Sequence, residues 1–258
     1  MHLRLARRTA LGLAAGSVLI GGAAVAATTT PWSYSGATGP SHWGSLDPAY
    51  TTCSDGSAQS PIDLAKPVKS DLVNLGFTYP SATLGIFDTG HTIEAEPLEP
   101  GADTLTLNNK AYTFAQLHYH APSEHTINGT HYPLEIHFVH KAADGQLAVV
   151  GVLVKQGAEN AAWKPITDRI AAATTDPEAD QVDVNLDTLL PRYRRSIRYD
   201  GSLTTPPCSE GVKWNVLAYP IEMSAAQIAA FTHEYAVNAR PTQPRNNRVV
   251  RLDVSRDH

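Results

Sequence analysis

Gln116-Leu117-His118-Tyr119-His120 and Leu134-Glu135-Ile136-His137-Phe138-Val139-His140 are the two stretches that decide how this chain is read. Both alternate. Successive side chains of a strand point to opposite faces, so Gln116, His118 and His120 share one face of the first stretch, with Leu117 and Tyr119 behind. In the second, Glu135, His137 and Val139 stand together, opposite Ile136 and Phe138. Paired as neighbouring antiparallel strands, the two stretches bring three imidazoles to one point. Three neutral histidines suit Zn2+ at about 2.0–2.1 Å and leave one tetrahedral position for water, which marks a catalytic rather than a structural site. Gln116 and Glu135, each two residues ahead of a histidine on the same face, are placed to orient the rings. A single His-x-His in a strand is a weak signal, and satisfied core histidines are common. Spacing alone leaves both readings open.

Outward from these stretches, short strand-like runs dominate: Leu75 to Tyr79, His91 to Ala95, Thr104 to Leu107, Ala115 to Tyr119, Leu134 to His140, Leu147 to Lys155 and Lys213 to Tyr219. Most alternate or carry β-branched residues, with turn residues between them. Two helices interrupt. Ala161 to Ala173 places Trp163, Ile166 and Ile170 at helical spacing. Ser224 to about Ala236 opens on the Ser224/Gln227 capping box, with Ile228 and Phe231 on one face. From Thr28 to about Pro67 the chain is rich in Gly, Pro, Ser and aromatics, as expected of an irregular arm wrapped on a core. No internal repeat or linker divides the remainder, so residues 27–258 read as one β-rich domain.

The 258 residues are 42% hydrophobic and 17% charged, which permits a sizeable core and excludes wholesale disorder. Residues 1–26 read as an export signal: Arg4, Arg7 and Arg8, an uncharged run from Ala10 to Ala23, then Ala24-Val25-Ala26 as a small-x-small cleavage site. A membrane anchor is the alternative, but the run falls short of the roughly 20 apolar residues a span needs. Arg7-Arg8 lacks the flanks of a twin-arginine signal. Cleavage would leave 17 basic and 25 acidic side chains, a formal charge of −8, on a periplasmic or extracellular protein without stable membrane insertion. That balance argues against a nucleic-acid partner. No oligomeric state follows from it. Cys53 and Cys208 are the only cysteines. In an exported chain they read as a disulfide, with two separate buried thiols as the alternative. Arg245, Arg248, Arg251 and Arg256 read as a solvated basic end.

Gln116-x-His118-x-His120, Ser123-Glu124-His125, Glu135-x-His137 and Ser202-Leu203-Thr204-Thr205-Pro206-Pro207 together resemble the α-class carbonic anhydrases. The resemblance runs from Trp32-Ser33-Tyr34 and His42-Trp43-Gly44 through Gln59-Ser60-Pro61-Ile62 to Asn238-x-Arg240-Pro241-x-Gln243-Pro244, and Ala121-Pro122-Ser123-Glu124 resembles bacterial members. It implies a mainly β (α+β) fold, a single domain with a central, large twisted, mostly antiparallel sheet, some parallel strands and peripheral short helices. It implies reversible hydration of CO2 to bicarbonate and a proton by a zinc-bound hydroxide, and Cys53 and Cys208 match the disulfide of many exported members. By motif match, His118, His120 and His137 would hold Zn2+. Thr204 would accept the hydroxide's proton while donating its own to Glu124, and its N–H would polarise a CO2 oxygen. Thr205 would contact bicarbonate. Val139, Val149, Leu203 and Trp214 match the wall beside CO2, although their residue types alone read as ordinary core. His91 matches the proton shuttle, a role suited to a group titrating near pH 6.5. His125 is expected to support Glu124, because a buried carboxylate needs partners.

Two departures stand out. Glu94, on the side of His91, occupies a position where the family more often carries a neutral Asn or Gln, and Ala121 replaces a Trp common in animal members. A non-catalytic binding module on the same fold typically lacks a metal ligand, whereas all three histidines are present here. A zinc-storage protein would need a His-rich mobile tract, which this sequence lacks. Weak ester hydrolysis is an expected side activity.

Overall fold

A computed structural model describes residues 30–255; the signal-peptide reading, Arg256 and His258 lie outside the described residues. Among the described residues thirteen strands form one sheet. In chain order they are β1 (Val68–Ser70), β2 (Gly76–Thr78), β3 (Ser81–Asp88), β4 (Ile93–Pro97), β5 (Thr104–Leu107), β6 (Lys110–His120), β7 (Leu134–Lys141), β8 (Leu147–Gln156), β9 (Gln181–Asn185), β10 (Ser196–Ser202), β11 (Glu210–Leu217), β12 (Ile221–Met223) and β13 (Arg251–Asp253). The main path runs β1-β13-β10-β11-β8-β7-β6-β4-β3-β9, with β12 on β8 and the β2–β5 pair on β6. Only β1–β13, β8–β11 and β8–β12 pair in parallel. The expected mainly β, mostly antiparallel single domain is what the chain adopts.

Alternation along the central strands gives the sheet two apolar faces. Leu117, Tyr119, Ile136, Phe138, Val150 and Val152 enter the larger core on the reverse face, together with Trp163 and Phe231. Val149, Leu153, Tyr199, Val212, Trp214 and Val216 form a second core on the front face with Ile62 and Leu64. A sheet covered on both sides needs strands that are apolar both ways, and β8 (Leu-Ala-Val-Val-Gly-Val-Leu-Val-Lys-Gln) is such a strand. The front face of β6 and β7 is the exception. There the histidines sit.

The helices are short. The periodicity over Ala161 to Ala173 yields α-helix only at Lys164–Thr167, started by Pro165, followed by a 3-10 turn at Ile170–Ala172. Trp163, Ile166 and Ile170 are nonetheless buried as that spacing requires. The second helix is observed at Ala225–Glu234 with the reciprocal Ser224/Gln227 capping box, and Phe231 is its buried contact. The run from 30 to 67 contains turns and short helices but no strand, among them Trp43–Leu46 and Thr52–Asp55. Cys53 in the latter helix is disulfide-bonded to Cys208, which excludes the two-thiol alternative. At the basic end, half-buried Arg245 and Arg248 each donate to the other's backbone carbonyl, whereas Arg251, in β13, is exposed as read.

Candidate metal centre

Strand register builds the site. His118 on β6 lies directly opposite His137 on β7, with His120 opposite Glu135 and Gln116 opposite Val139. One nitrogen from each of His118, His120 and His137 lies within 4.8 Å of the others. The hydrogen bonds fix which ones are left over. His118 Nδ1–H donates to Gln116 Oε1 (2.8 Å), His120 Nδ1–H to the Asn238 carbonyl (2.7 Å), and His137 Nε2–H to Glu135 Oε1 (3.0 Å). That leaves Nε2 of His118, Nε2 of His120 and Nδ1 of His137, and His120 Nε2 is a fully buried atom with no partner. Burial pushes all three rings below the usual histidine range, His120 to about 4, so each is a neutral donor at pH 7. A buried, orphaned lone pair facing two more is costly in a core and suited to a cation. The residues fit zinc.

Glu135 anchors this arrangement. It is wholly buried, and besides His137 it takes the His125 backbone N–H at 2.8 Å and its Nδ1–H at 2.7 Å. Burial alone would push its carboxyl up; the facing His125 and His137 rings and their hydrogen bonds outweigh burial and hold it well below the usual carboxylate range. Gly151, the β8 partner of His137, leaves it room, since a Cβ there would come within 3.0 Å of Glu135 Oε1. His125, expected to support Glu124, therefore serves Glu135 instead, and its Nε2 bonds the Tyr199 hydroxyl at 2.6 Å. The sequence put His125 next to Glu124, but the chain turns between the two residues and sends the ring the other way.

Glu124 is also wholly buried. Burial raises its carboxyl to about 7, against His137, the Thr204 hydroxyl and the Arg240 backbone N–H, which lower it. The Arg240 N–H donates to Oε1 at 2.8 Å, while Oε2 lies 3.5 Å from His120 Nε2. Thr204 and Thr205 follow β10 on a loop closed by Leu203 N–H on Ser209 O and Cys208 N–H on Thr205 O. The disulfide ties that loop to the Thr52–Asp55 helix.

The apolar side of the cavity is a register row. Val139 pairs with Val149, and Val149 with Trp214, whose ring meets His137 edge-on at 4.8 Å. Leu203 packs on the same cluster. His91 belongs not to a strand but to the β3–β4 turn, where Gly90 takes a φ of +82°. Its ring stacks on Trp32 at 3.8 Å, and Nε2–H donates to the Trp32 carbonyl at 3.0 Å.

A eukaryotic-type carbonic anhydrase family model matches residues 38–254. The chain belongs to the α-carbonic anhydrase family. It is 43% identical to a carbonic anhydrase of Klebsiella pneumoniae over 85% of this chain and 89% of that one. It is 40% identical to one of Pectobacterium carotovorum over 88% and 93%. The α-carbonic anhydrase of Thermovibrio ammonificans, solved with sulfanilamide, superposes with a TM-score of 0.80 at 40% identity, covering 87% of this chain and all of that one. Like these relatives, it is a carbonic anhydrase.

Several residues of this carbonic anhydrase site escaped local sequence reasoning. Asn238 takes His120 on its carbonyl and ties down Ala121, Tyr119 and the His91 carbonyl with its amide. Buried Arg240 spans Gln59, Ser60 and Cys53. Tyr199 joins His125 to Ser60. The Asn238-x-Arg240-Pro241 motif was the signal available for the first two. On the reverse face, a groove of about 480 Å³ is lined by Lys110, Gln146, Arg198, Lys213 and Arg251. Three of its cations are spent on Asp144, Asp253 and Asp200, so it does not rival the histidine site.

Proposed function

We propose that this carbonic anhydrase is an exported zinc enzyme that interconverts CO2 with bicarbonate and a proton, holding the metal through His118, His120 and His137. The observation that carries this reading is the convergence of three neutral, uncommitted ring nitrogens, each on a ring whose other nitrogen is tied down. Zinc, when bound, is a Lewis acid that brings the pKa of a water down to about 7 and so supplies a nucleophile at neutral pH.

The chain's own residues do the rest. Glu124, with Oε1 held by Arg240, takes the Thr204 hydroxyl proton. A hydroxyl whose proton is committed has only lone pairs to offer, so Thr204 accepts from the attacking solvent molecule and aims it. Val139, Val149, Leu203 and Trp214 keep water off the place where apolar CO2 rests. The Thr204 backbone N–H, which has no hydrogen-bond partner among the described residues, faces a CO2 oxygen, and Thr205 holds bicarbonate. His91 hands the released proton to buffer from its seat on Trp32. Gln116 and Glu135 keep the rings in the tautomers that leave the right nitrogens bare.

Export through a cleaved 1–26 segment agrees with the Cys53–Cys208 disulfide, which forms in oxidising compartments. Among the described residues no helix is long and apolar enough to cross a membrane. Stopped-flow CO2 hydration combined with metal analysis tests the reading. The purified protein is expected to carry stoichiometric zinc, and His118→Ala to lose zinc and turnover together. Unchanged turnover in a folded His118→Ala protein would refute the ligand assignment.

A further inference from the structure

Glu94 is the anomaly of the cavity face. The register places it directly opposite His118, in a row that runs Phe87, Glu94, His118, His137 across β3, β4, β6 and β7. Its neighbours Ile93 and Ala95 point the other way, into the reverse core with Leu117 and Tyr119. The Glu94 carboxylate is half-buried, yet it makes no hydrogen bond or ion pair among the described residues. The other two acids of the site, Glu124 and Glu135, are both held by N–H donors. Groups withdrawn from water are normally satisfied. One left bare beside a cation site acts on whatever enters.

We infer that Glu94 sets the charge preference of the cavity, admitting neutral CO2 while holding inorganic anions away from the metal position and hastening the departure of bicarbonate. This rests on the metal reading above. Opposed residues of an antiparallel pair have Cβ atoms about 4.5–5.5 Å apart, well inside the Debye length of about 8 Å at physiological salt. The apolar wall of Val139, Val149 and Trp214 lowers the local dielectric, so the ionised carboxylate repels an incoming anion and leaves CO2 untouched. Burial and the neighbouring Glu96 raise the Glu94 carboxyl to about 7, so the affinities are compared above that pH. Glu96 lies on the same face, opposite Gly85, and is the natural comparison for a charge one strand step farther from His118.

The test uses cobalt-substituted protein and thiocyanate, whose affinity is read from the visible spectrum. A pH series separates thiocyanate binding from competition by hydroxide. Glu94→Gln keeps the side chain's shape and is expected to bind thiocyanate about five- to tenfold tighter, with the gain shrinking at high salt and the KM for CO2 unchanged. Glu96→Gln is expected to gain less than about twofold. Equal affinity in the wild type and Glu94→Gln would overturn the inference. Equal gains in both variants would reduce the effect to net charge and overturn it as well. If cobalt fails to load at all, the metal reading falls and takes this inference with it.

Discussion

His137 and His140 lie on one strand and are both buried, but they face opposite sides of the sheet. Burial pushes both rings below the usual histidine range, His140 to about 4. Each has one nitrogen committed, His137 to Glu135 and His140 to the Tyr79 hydroxyl. The difference lies in what the other nitrogen meets. For His137 it is two more bare imidazoles; for His140, whose Nδ1 is also buried without a hydrogen-bond partner, no second imidazole is there, only the backbone near Ala148 and Phe138 in a core that includes Phe114. Burial and neutrality therefore do not make a ligand. Convergence does, and β7 shows both outcomes in two turns of the pleat.

The front-face half of that comparison breaks most readily at Glu135. Glu135→Gln removes the charge that His125 and His137 share, at a wholly buried position. Breaking a buried pair costs about 3–5 kcal/mol, and loss of such an orienting partner weakens metal binding by roughly 10–100-fold. Urea unfolding and a competitive zinc titration measure the two losses. A variant that kept wild-type zinc affinity would show that a neutral acceptor orients the His137 ring as well as the carboxylate does.

How much of this was legible depended on distance along the chain. The ligand faces of β6 and β7 followed from alternation, but their antiparallel pairing was a condition of the reading and their register came only with the fold. The capping box at Ser224 was similarly local. By contrast β10, Ser-Ile-Arg-Tyr-Asp-Gly-Ser, is a strand because it is flanked by β11 and β13, not because its own pattern is strong. Strands of three residues, the edge strand β1 and its neighbour β13, carry too few positions to show a period. Asn238, Arg240 and Tyr199 reach the site from far along the chain, and no periodicity encodes such a meeting. The mistaken partner of His125 has the same origin: adjacency in sequence suggested Glu124, while folding supplied Glu135.

The reverse-face half of the comparison is tested by acid. His140 is held neutral with its value lowered from 6.5 to about 4. The unfolded chain therefore binds a proton there first. The ring's contribution is fully present above pH 6.5 and is lost as pH falls toward 4, by about 2 kcal/mol at pH 5. His140→Gln should flatten that slope in urea unfolding at pH 7 and pH 5 while leaving zinc content unchanged. Loss of zinc in this variant would mean that the two faces are coupled through β7, and the distinction between them would fail.

The smallest effect is expected at His91, which belongs to neither group: half-buried, in a turn, stacked on Trp32 rather than set in a strand. Its hydrogen bond to the Trp32 carbonyl and its ring stack give it a structural occupation that could account for it entirely. Two substitutions separate the occupations. His91→Phe keeps a flat ring for Trp32 but cannot carry a proton, and His91→Ala keeps neither. If the ring moves protons, both variants lose several-fold in CO2 hydration turnover in weak buffer, by about the same factor, and both recover with added imidazole, since proton transfer by a positioned group is what the solution base replaces. If the ring only supports Trp32, His91→Phe turns over as the wild type does and only His91→Ala falls. Equal, rescuable losses would place His91 with the chemistry although it touches no ligand, and would show that a histidine's role here follows from what its free nitrogen can reach rather than from how deeply it is buried.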